Sequence, residues 1–185
     1  MKRIIAIISC IAALAVTVLI ASSCGESAPE KTLTGYFEAL HDLDADGIGR
    51  YTEDGETGTV DFSVLKDRAE LAKKILYVSF TVIDDGIDDA SAVDIDETTV
   101  RTSISYIDYS TLFGRINGEI AVSGGEKARL LSDALEKGNY SMKKAEIDIV
   151  LVKRGGKWKI PVNAQKNSQL MNSLNVTYII KWISE

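Results

Sequence analysis

The spacing of apolar residues changes near residue 77, and this change limits the fold more than any other feature of the chain. Before it, apolar side chains recur at helical intervals; after it, they alternate with polar ones, as in a half-buried strand. The first helical stripe consists of Leu33, Tyr36, Phe37 and Leu40. Helices followed by alternating strands predict an α+β domain with an antiparallel sheet.

Three helical segments are predicted ahead of the sheet. The first follows the entry signals Pro29 and Thr32. The second is a short turn with Asp44 as its N-cap, and Ile48 and Tyr51 pointing inward. The third covers about residues 62–76. Its expected buried side chains are Val64, Leu65, Ala69, Leu71, Ala72, Ile75 and Leu76.

Strands are predicted over residues 77–84, 98–109 and 145–153, followed by a returning strand with Trp158, Ile160 and Val162. Arg154, Gly155 and Gly156 supply the turn between the last two, and Pro161 restricts the returning strand to an end or an edge. A helical insertion is expected over residues 110–138, capped by Gly138. The tail, residues 168–183, is predicted to form a closing helix, with a strand over residues 176–183 as the alternative.

The first 24 residues are typical of a secretory signal. Lys2 and Arg3 precede an uninterrupted run of apolar and small residues over positions 4–21. The following segment, Ala21-Ser22-Ser23-Cys24, resembles the bacterial lipobox, although Ala21 stands where leucine is most frequent. The resemblance implies diacylglycerol on the sulfur of Cys24, with or without a further N-acyl chain, and cleavage before it.

An uncleaved transmembrane anchor is the alternative for this segment, because residues 4–21 are just long enough to span a membrane. No basic stop-transfer flank follows the run, which favours cleavage. Either alternative places the domain outside the cell. The predicted organisation is therefore a signal peptide over residues 1–23, a lipidated cysteine and short tether over 24–30, and one domain over 31–185, attached to the outer face of the cell membrane.

Cysteine content and charge exclude several kinds of site. Cys10 and Cys24 are the only cysteines, so the predicted domain has no disulfide, thiol nucleophile or cysteine-ligated zinc site. The chain has a net charge of −6, and removal of residues 1–23 takes away Lys2 and Arg3 and leaves −8. Such a negative domain repels nucleic acid, which is not an expected partner.

Two stretches of the chain resemble a known group, the small lipoproteins of Gram-positive bacteria with a nuclear transport factor 2-like, or cystatin-like, domain. The first stretch is residues 34–40 followed by Asp44, Ile48 and Tyr51, and the second is residues 147–160. The resemblance covers nearly all of the chain after Pro29. It implies a curved, cone-like sheet wrapped around the N-terminal helices, often with a pocket. Some members bind small molecules and others are isomerases or dehydratases, so the fold alone assigns no activity.

One acidic segment matches the calcium-loop pattern of EF-hands. Asp42, Asp44, Asp46 and Glu53 stand at ligand positions and Gly47 at the turn position. Gly49, however, occupies a position that normally holds a branched apolar residue, and the polar segment after Glu53 predicts no exiting helix. The competing interpretation makes Asp44 a helix cap. A calcium-stabilised structural domain is therefore one alternative function.

The remaining candidates have simple structural interpretations. Asp84, Asp85, Asp88 and Asp89, with Asp94, Asp96 and Glu97 beyond them, are expected to form a solvated connection rather than a cation site. His41, the only histidine, is expected at the end of the first helix on the surface. Lys157 and Lys159 flank Trp158 on the outer face of a hairpin. Asn175-Val176-Thr177 matches a glycosylation acceptor, but a bacterial lipoprotein is the wrong context for that modification.

Tyrosines near an aspartate are the one pattern that suggests catalysis. Tyr36, Tyr106 and Tyr109 with Asp108 are similar in type to the residues that isomerases of this superfamily use. Asp108 is also the expected cap of the helix beginning near Ser110, and tyrosines on apolar faces usually belong to the core. No nucleophile, base and orienting group converge. The sequence therefore favours a non-catalytic envelope module that binds a small ligand or a protein and needs no cofactor, with a cofactor-independent isomerase or dehydratase as the alternative.

Overall fold

The computed structural model describes residues 27–53, 61–86, 95–123, 126–161 and 165–185. The predicted signal peptide and Cys24 lie outside these residues. The helices and strands are α1 Ala28–Asp42, α2 Ala45–Tyr51, α3 Ala69–Leu76, β1 Val78–Asp84, β2 Glu97–Ile107, α4 Tyr109–Ser123, α5 Lys127–Glu136, β3 Met142–Arg154, β4 Lys157–Lys159, α6 Ser168–Leu174 and α7 Val176–Ser184. Two 3₁₀ helices, Phe62–Arg68 and Gln165–Asn167, precede α3 and α6.

Helix α1 begins earlier than the sequence pattern predicts. Ser27 is its N-cap and accepts a hydrogen bond from the N–H of Glu30, while Pro29 occupies the first turn, where its missing N–H costs nothing. The predicted stripe of Leu33, Tyr36, Phe37 and Leu40 is buried. Residues 28–30, which the sequence pattern assigns to the tether, belong to this helix, and the tether itself stays a prediction.

Helix α2 packs against α1 through a close approach that requires glycine. A Cβ atom on Gly35 would lie 2.2 Å from the ring of Tyr51, so the ring rests directly on the α1 backbone. Ile48 is buried beside it, as predicted. Gly35 and Tyr51 both belong to the first stretch that resembles the lipoprotein group, and packing between α1 and α2 explains both residues.

The third predicted helix is broken in two. Lys66 has a positive φ of 48°, so a 3₁₀ segment over Phe62–Arg68 bends before α3 begins at Ala69. The prediction that Val64 is buried is wrong, because 42% of its surface is exposed. Leu65, Ala72, Ile75 and Leu76 are buried as expected. A continuous apolar spacing in the sequence does not reveal this kink.

The four strands form one antiparallel sheet in the order β1-β2-β3-β4. Phe80 opposes Ile104, and Thr102 opposes Ile147, so the alternating apolar residues of three strands share one face. Gly155 and Gly156 both have positive φ in the two-residue turn between β3 and β4, as the Gly-Gly pair predicts. Strand β4 ends before Pro161, and Ile160 instead bridges to Thr52.

The helical insertion lies between β2 and β3 and the chain ends in helices, both as predicted. Leu112 and Ile116 of α4 and Leu131 and Ala134 of α5 are buried. The alternative strand over residues 176–183 is wrong, because α7 spans these positions after a left-handed residue, Asn175. The fold is thus a mixed α+β structure with an open, four-stranded antiparallel sheet. The cone-like curvature implied by the resemblance stays a prediction.

Candidate functional site

A groove opens at the base of the helical insertion, where α4 leaves the sheet and the chain returns from α5 to β3. Its volume is about 360 Å³, which is in the size range of small-molecule sites. The lining residues are Thr111, Leu112, Arg115, Gly138, Asn139, Tyr140 and Ser141. These side chains offer hydroxyl and amide groups, one aromatic ring and one guanidinium, so the groove suits a polar ligand or a polar peptide segment.

Asp108 closes the base of the insertion beside this groove. Its N–H donates to the carbonyl of Ser141 at 2.8 Å, which ties the start of α4 to the start of β3. Its carboxylate accepts hydrogen bonds from Ser110 Oγ at 2.7 Å, from Thr111 N–H at 3.2 Å and from Thr111 Oγ1 at 2.8 Å. Lys143 Nζ completes the set at 3.1 Å. Asp108 is thus the cap of α4, as predicted, and also an ion-pair partner of β3.

These contacts decide the protonation state of Asp108. Burial by itself would raise the pKa of the carboxyl, but the hydrogen bonds from Ser110, Thr111 and Lys143 outweigh burial and hold that pKa well below its usual range. The same contact raises the pKa of the Lys143 ammonium. A carboxylate so stabilised is a poor acceptor for a proton at neutral pH, and this geometry does not suit a general base.

The three tyrosines that suggested catalysis lie in different surroundings. Tyr36 is in the core, with its ring 5.4 Å from that of Phe37, and burial raises its pKa to about 12. Tyr109 is half-buried, its hydroxyl donates to the carbonyl of Asn172 at 3.2 Å, and burial raises its pKa. Tyr106 and Tyr109 line the same small cavity. The structure therefore brings Asp108, Tyr106 and Tyr109 to one end of the sheet and leaves Tyr36 in the core.

Arg115 supplies the positive charge of the groove. Its guanidinium donates to the carbonyl of Asn139 across the groove. None of the ion pairs among the residues described by the structure includes Arg115. A guanidinium has five N–H donors in a planar fork, so donors remain for a carboxylate, a phosphate or a carbonyl of a ligand.

A small cavity lies where the ends of β1 and β2 meet α3, α6 and α7, and its volume is about 10 Å³, room for no more than one water molecule. Its walls include Ile75, Leu76, Val78, Ile107, Leu174 and Ile179 together with Tyr106, Tyr109 and Ser173. Apolar side chains thus form most of the walls of this small cavity, and the two tyrosines complete them.

Two of the candidate calcium ligands have structural roles, Asp44 as a helix cap and Glu53 in an ion pair. Asp44 caps α2, accepting from the Gly47 N–H at 2.9 Å and from Arg50 Nη2 at 3.0 Å. Glu53 Oε1 binds Arg154 Nε at 2.6 Å. Asp42 lies 3.4 Å from His41 Nδ1, on the last turn of α1. Within the described ranges no group of three or more His, Cys, Asp or Glu side chains could hold a metal ion, and calcium binding stays a prediction.

The other candidates are surface features. His41 is partly exposed, with its ring edge-to-face with Tyr77 at 5.6 Å. Asp84 accepts from the Gly86 N–H at 2.9 Å in a tight turn, whereas residues 87–94 lie outside the described residues. Lys159 donates to the carbonyl of Arg50, and Lys153 lies 5.9 Å over the Trp158 ring. Asn175 forms the left-handed junction between α6 and α7.

Sequence reasoning missed the groove itself. Arg115, Asn139, Tyr140 and Ser141 lie more than 20 positions apart in two segments, and neither segment carries a recognisable motif. The one available signal was Gly138, which ends the insertion and returns the chain toward the start of α4. Asn167 was missed as well: it is fully buried and binds the β3 backbone.

No protein-family model matches the sequence, and no curated protein matches it. A crystal structure of the Bacillus subtilis protein ycdA, described as a "putative lipoprotein", aligns with 77% of this chain at 13% identity and a TM-score of 0.36. The aligned part is 45% of that protein, so the chain spans less than half its length. A TM-score of this size is too low to establish a shared fold. No helix in the described part of the chain is both long and apolar enough to cross a membrane.

Proposed function

We propose that this chain is a lipid-anchored, extracytoplasmic binding module of the cell envelope, and that the groove beside α4 receives a small polar ligand or a polar segment of an envelope protein. The observation that carries the binding-module proposal is the groove of about 360 Å³ that Arg115, Asn139 and Tyr140 help to line. The cavity that Tyr106 and Tyr109 line has a volume of only about 10 Å³, too small to hold a substrate beside the tyrosines that suggested catalysis.

The arrangement at Asp108 also favours binding over acid–base catalysis. Its carboxylate is engaged by Ser110, Thr111 and Lys143, and its depressed pKa leaves it ionised at neutral pH. The two segments that line the groove next to it are held together by the backbone hydrogen bond from Asp108 to Ser141. Such a preformed polar surface can bind without reorganisation, which lowers the entropic cost of association.

The anchoring half of the proposal rests on residues 1–24 and on where the domain starts. Ser27 caps α1, so only Gly25 and Glu26 separate Cys24 from the folded part. Three Cα–Cα steps span at most about 11 Å. A lipid on Cys24 would hold the domain directly at the membrane surface.

The anchoring test compares two cysteine variants of the full chain in a Gram-positive host. Cys24→Ser is expected to abolish the lipid mass on the processed protein and to move it from the membrane fraction to the medium. Cys10→Ser is the matched control and is expected to behave as wild type. Intact mass analysis that finds an unmodified amino terminus at Met1 would contradict the proposal.

The binding test uses native mass spectrometry of the protein extracted from host membranes. A species bound in the groove is expected to be retained by the wild type and lost or reduced at least tenfold by Arg115→Ala. Arg129→Ala is the control, because Arg129 is an exposed arginine on α5 whose partner is Asp133 at 3.2 Å. Equal retention by both variants would remove the groove from the proposal.

A further inference from the structure

One edge of the sheet is only partly covered. Strand β3 has 13 residues, but β4 pairs only with Val152, Lys153 and Arg154. Two residues farther back, the amide of Asn167 takes the place of a strand: its Oδ1 accepts from the Val150 N–H at 2.8 Å, and its Nδ2 donates to the Val150 carbonyl at 3.0 Å. This contact shows that the backbone of Val150 points away from β2.

The alternation of a strand extends this orientation along β3. Every second residue presents its N–H and C=O to the same side, so those of Lys144, Glu146 and Asp148 also point away from β2. No backbone hydrogen bond from these outward groups is found among the described residues, and all three side chains are exposed. With respect to the residues that the structure describes, residues 142–148 therefore form an open edge, which ends at Asn167 on one side and at the start of the strand on the other.

The charged side chains on this edge differ in whether they lie opposite a charged residue of β2. Asp148 lies opposite Arg101, with 3.7 Å between the carboxylate and the guanidinium Nε. Lys144 and Glu146 instead lie opposite Ser105 and Ser103, and neither takes part in an ion pair within the described ranges. The open edge thus carries one cation and one anion, two residues apart, that β2 does not neutralise.

We propose that this open edge of β3 pairs with the same edge of a second copy of the chain, antiparallel and centred on Ala145. In this register Lys144 faces Glu146 of the second copy, and Glu146 faces Lys144 of the second copy. The register also uses all of residues 142–148 and stops before Asn167. The outward groups of each opposed pair exchange both N–H···O=C bonds, as in the interior of an antiparallel sheet.

Charge selects this register over its neighbours. A shift that places Glu146 opposite itself, or Lys144 opposite itself, puts like charges across the two-fold axis, which is destabilising. Charged side chains ordinarily protect an edge from pairing, and here they do so in every nearby register except one. The opposite edge of the sheet is less suitable, because β1 is shorter and a register irregularity interrupts it between Val82 and Asp84.

The pairing agrees with a lipid anchor on each copy. A two-fold axis normal to the sheet leaves the helical layers of both copies on the same side of the joined sheet. Each α1 lies in that layer, so both short tethers could enter one bilayer. The dimer itself depends only on β3 and goes beyond the proposed function.

Cysteine cross-linking of the full chain, in whichever fraction of the host culture contains it, tests the pairing. In the proposed register Ala145 lies directly opposite Ala145 of the second copy at a non-hydrogen-bonded position, where Cα atoms are about 4.5 Å apart, within the range for a disulfide. Ala145→Cys is expected to give a disulfide-linked dimer on mild oxidation. Thr99→Cys, an exposed position on the central strand, and the unsubstituted chain are controls that should give at least fivefold less.

Charge exchange then tests the register. In the Ala145→Cys background, Lys144→Glu and Glu146→Lys are each expected to lower the cross-linked fraction several-fold, and the double exchange should restore it. Circular dichroism checks that each variant is folded. A yield from Ala145→Cys no higher than from Thr99→Cys, or a double exchange that restores nothing, overturns the proposal. Failure of lipidation would appear in the Cys24 mass analysis and would leave the cross-linking result unchanged.

Discussion

Asp44 and Asp108 occupy the same structural position, the N-cap of a helix, but they differ in their partners, in their burial and in what they stabilise. The partners of Asp44, Gly47 and Arg50, lie within six residues of it, and 44% of its side chain is exposed. Asp108 binds Ser110 and Thr111 locally, but it also binds Lys143 on another strand, and only 11% of its side chain is exposed. The first cap stabilises one short helix, whereas the second also closes the base of the helical insertion.

This difference shows how burial changes the role of the same side chain. An exposed cap competes with water for its partners, so its net contribution is small. A mostly buried carboxylate has less competition from water, and removing it would leave the hydroxyl groups of Ser110 and Thr111 without this acceptor. Both aspartates suggested function in the sequence, Asp44 as a calcium ligand and Asp108 as part of an isomerase-like group of tyrosines and an aspartate. In the structure each carboxylate binds side-chain or backbone donors of the protein itself.

Asp108→Ala should have the largest effect on stability. The change removes the cap of α4, the ion pair with Lys143 and the acceptor for two hydroxyl groups. We expect the free energy of unfolding at pH 7 to fall by about 3 kcal/mol, since hydrogen bonds to charged groups contribute more than neutral ones. Urea unfolding of the domain measures it. A loss below about 1 kcal/mol would make Asp108 equivalent to Asp44.

Asp108→Asn separates the charge of Asp108 from its shape. The amide keeps one acceptor oxygen but loses the ion pair, and we expect a loss of about 2 kcal/mol at neutral pH. Because the folded pKa of Asp108 lies below the unfolded value of about 3.9, the contribution of the carboxylate is complete above that unfolded value. It is then lost as the pH falls through the folded pKa. The difference between wild type and variant should therefore be constant from pH 7 to 5 and shrink below about pH 4. A difference that stays constant down to pH 2.5 would contradict this account.

The sequence predicts the fold class because its signals are local. Helical and alternating spacing place α1, β1, β2 and β3 within a few residues, and Gly155-Gly156 predicts the hairpin turn. Local spacing cannot predict the kink at Lys66, because no glycine or proline marks it. It also cannot predict that Asn167 binds Val150, since the two meet only through the tertiary fold.

The candidate site was less predictable than the fold. Asp108 could be predicted as a cap because Ser110 and Thr111 follow it directly, whereas its partner Lys143 is 35 positions away. The groove needs Arg115 on α4 and Tyr140 after α5 to come together, and no spacing rule links them. A site of this kind, made from separate segments, can be recognised only in the folded structure, where the segment after α5 lies beside the start of α4.

Asp44→Ala should cost less than either change at Asp108. It removes the cap of α2 and an exposed ion pair with Arg50. We expect a loss of about 1 kcal/mol, nearly all from the cap, because exposed ion pairs contribute little. Asp46→Ala, on an exposed neighbour in the first turn of α2, is the matched control for the loss of the cap in the absence of calcium. Added calcium at millimolar concentration should leave the wild type and the variant equally separated if Asp44 acts only as a cap, whereas selective stabilisation of the wild type would support the calcium alternative.

Lys143→Met should have the smallest effect, and it separates the ion pair of Asp108 from the contacts by which Asp108 caps α4. The change removes the cation but leaves Ser110 and Thr111 bound to Asp108. Half of the Lys143 side chain is exposed, so solvent screening limits the ion pair to about 0.5 kcal/mol. If the donors of Ser110 and Thr111 contribute most of the stabilisation of the Asp108 carboxylate, the curve of stability against pH should keep its shape. The pH at which stability is lost should then rise only slightly. A loss as large as that of Asp108→Asn would mean that the long-range ion pair, rather than the cap, holds the insertion closed.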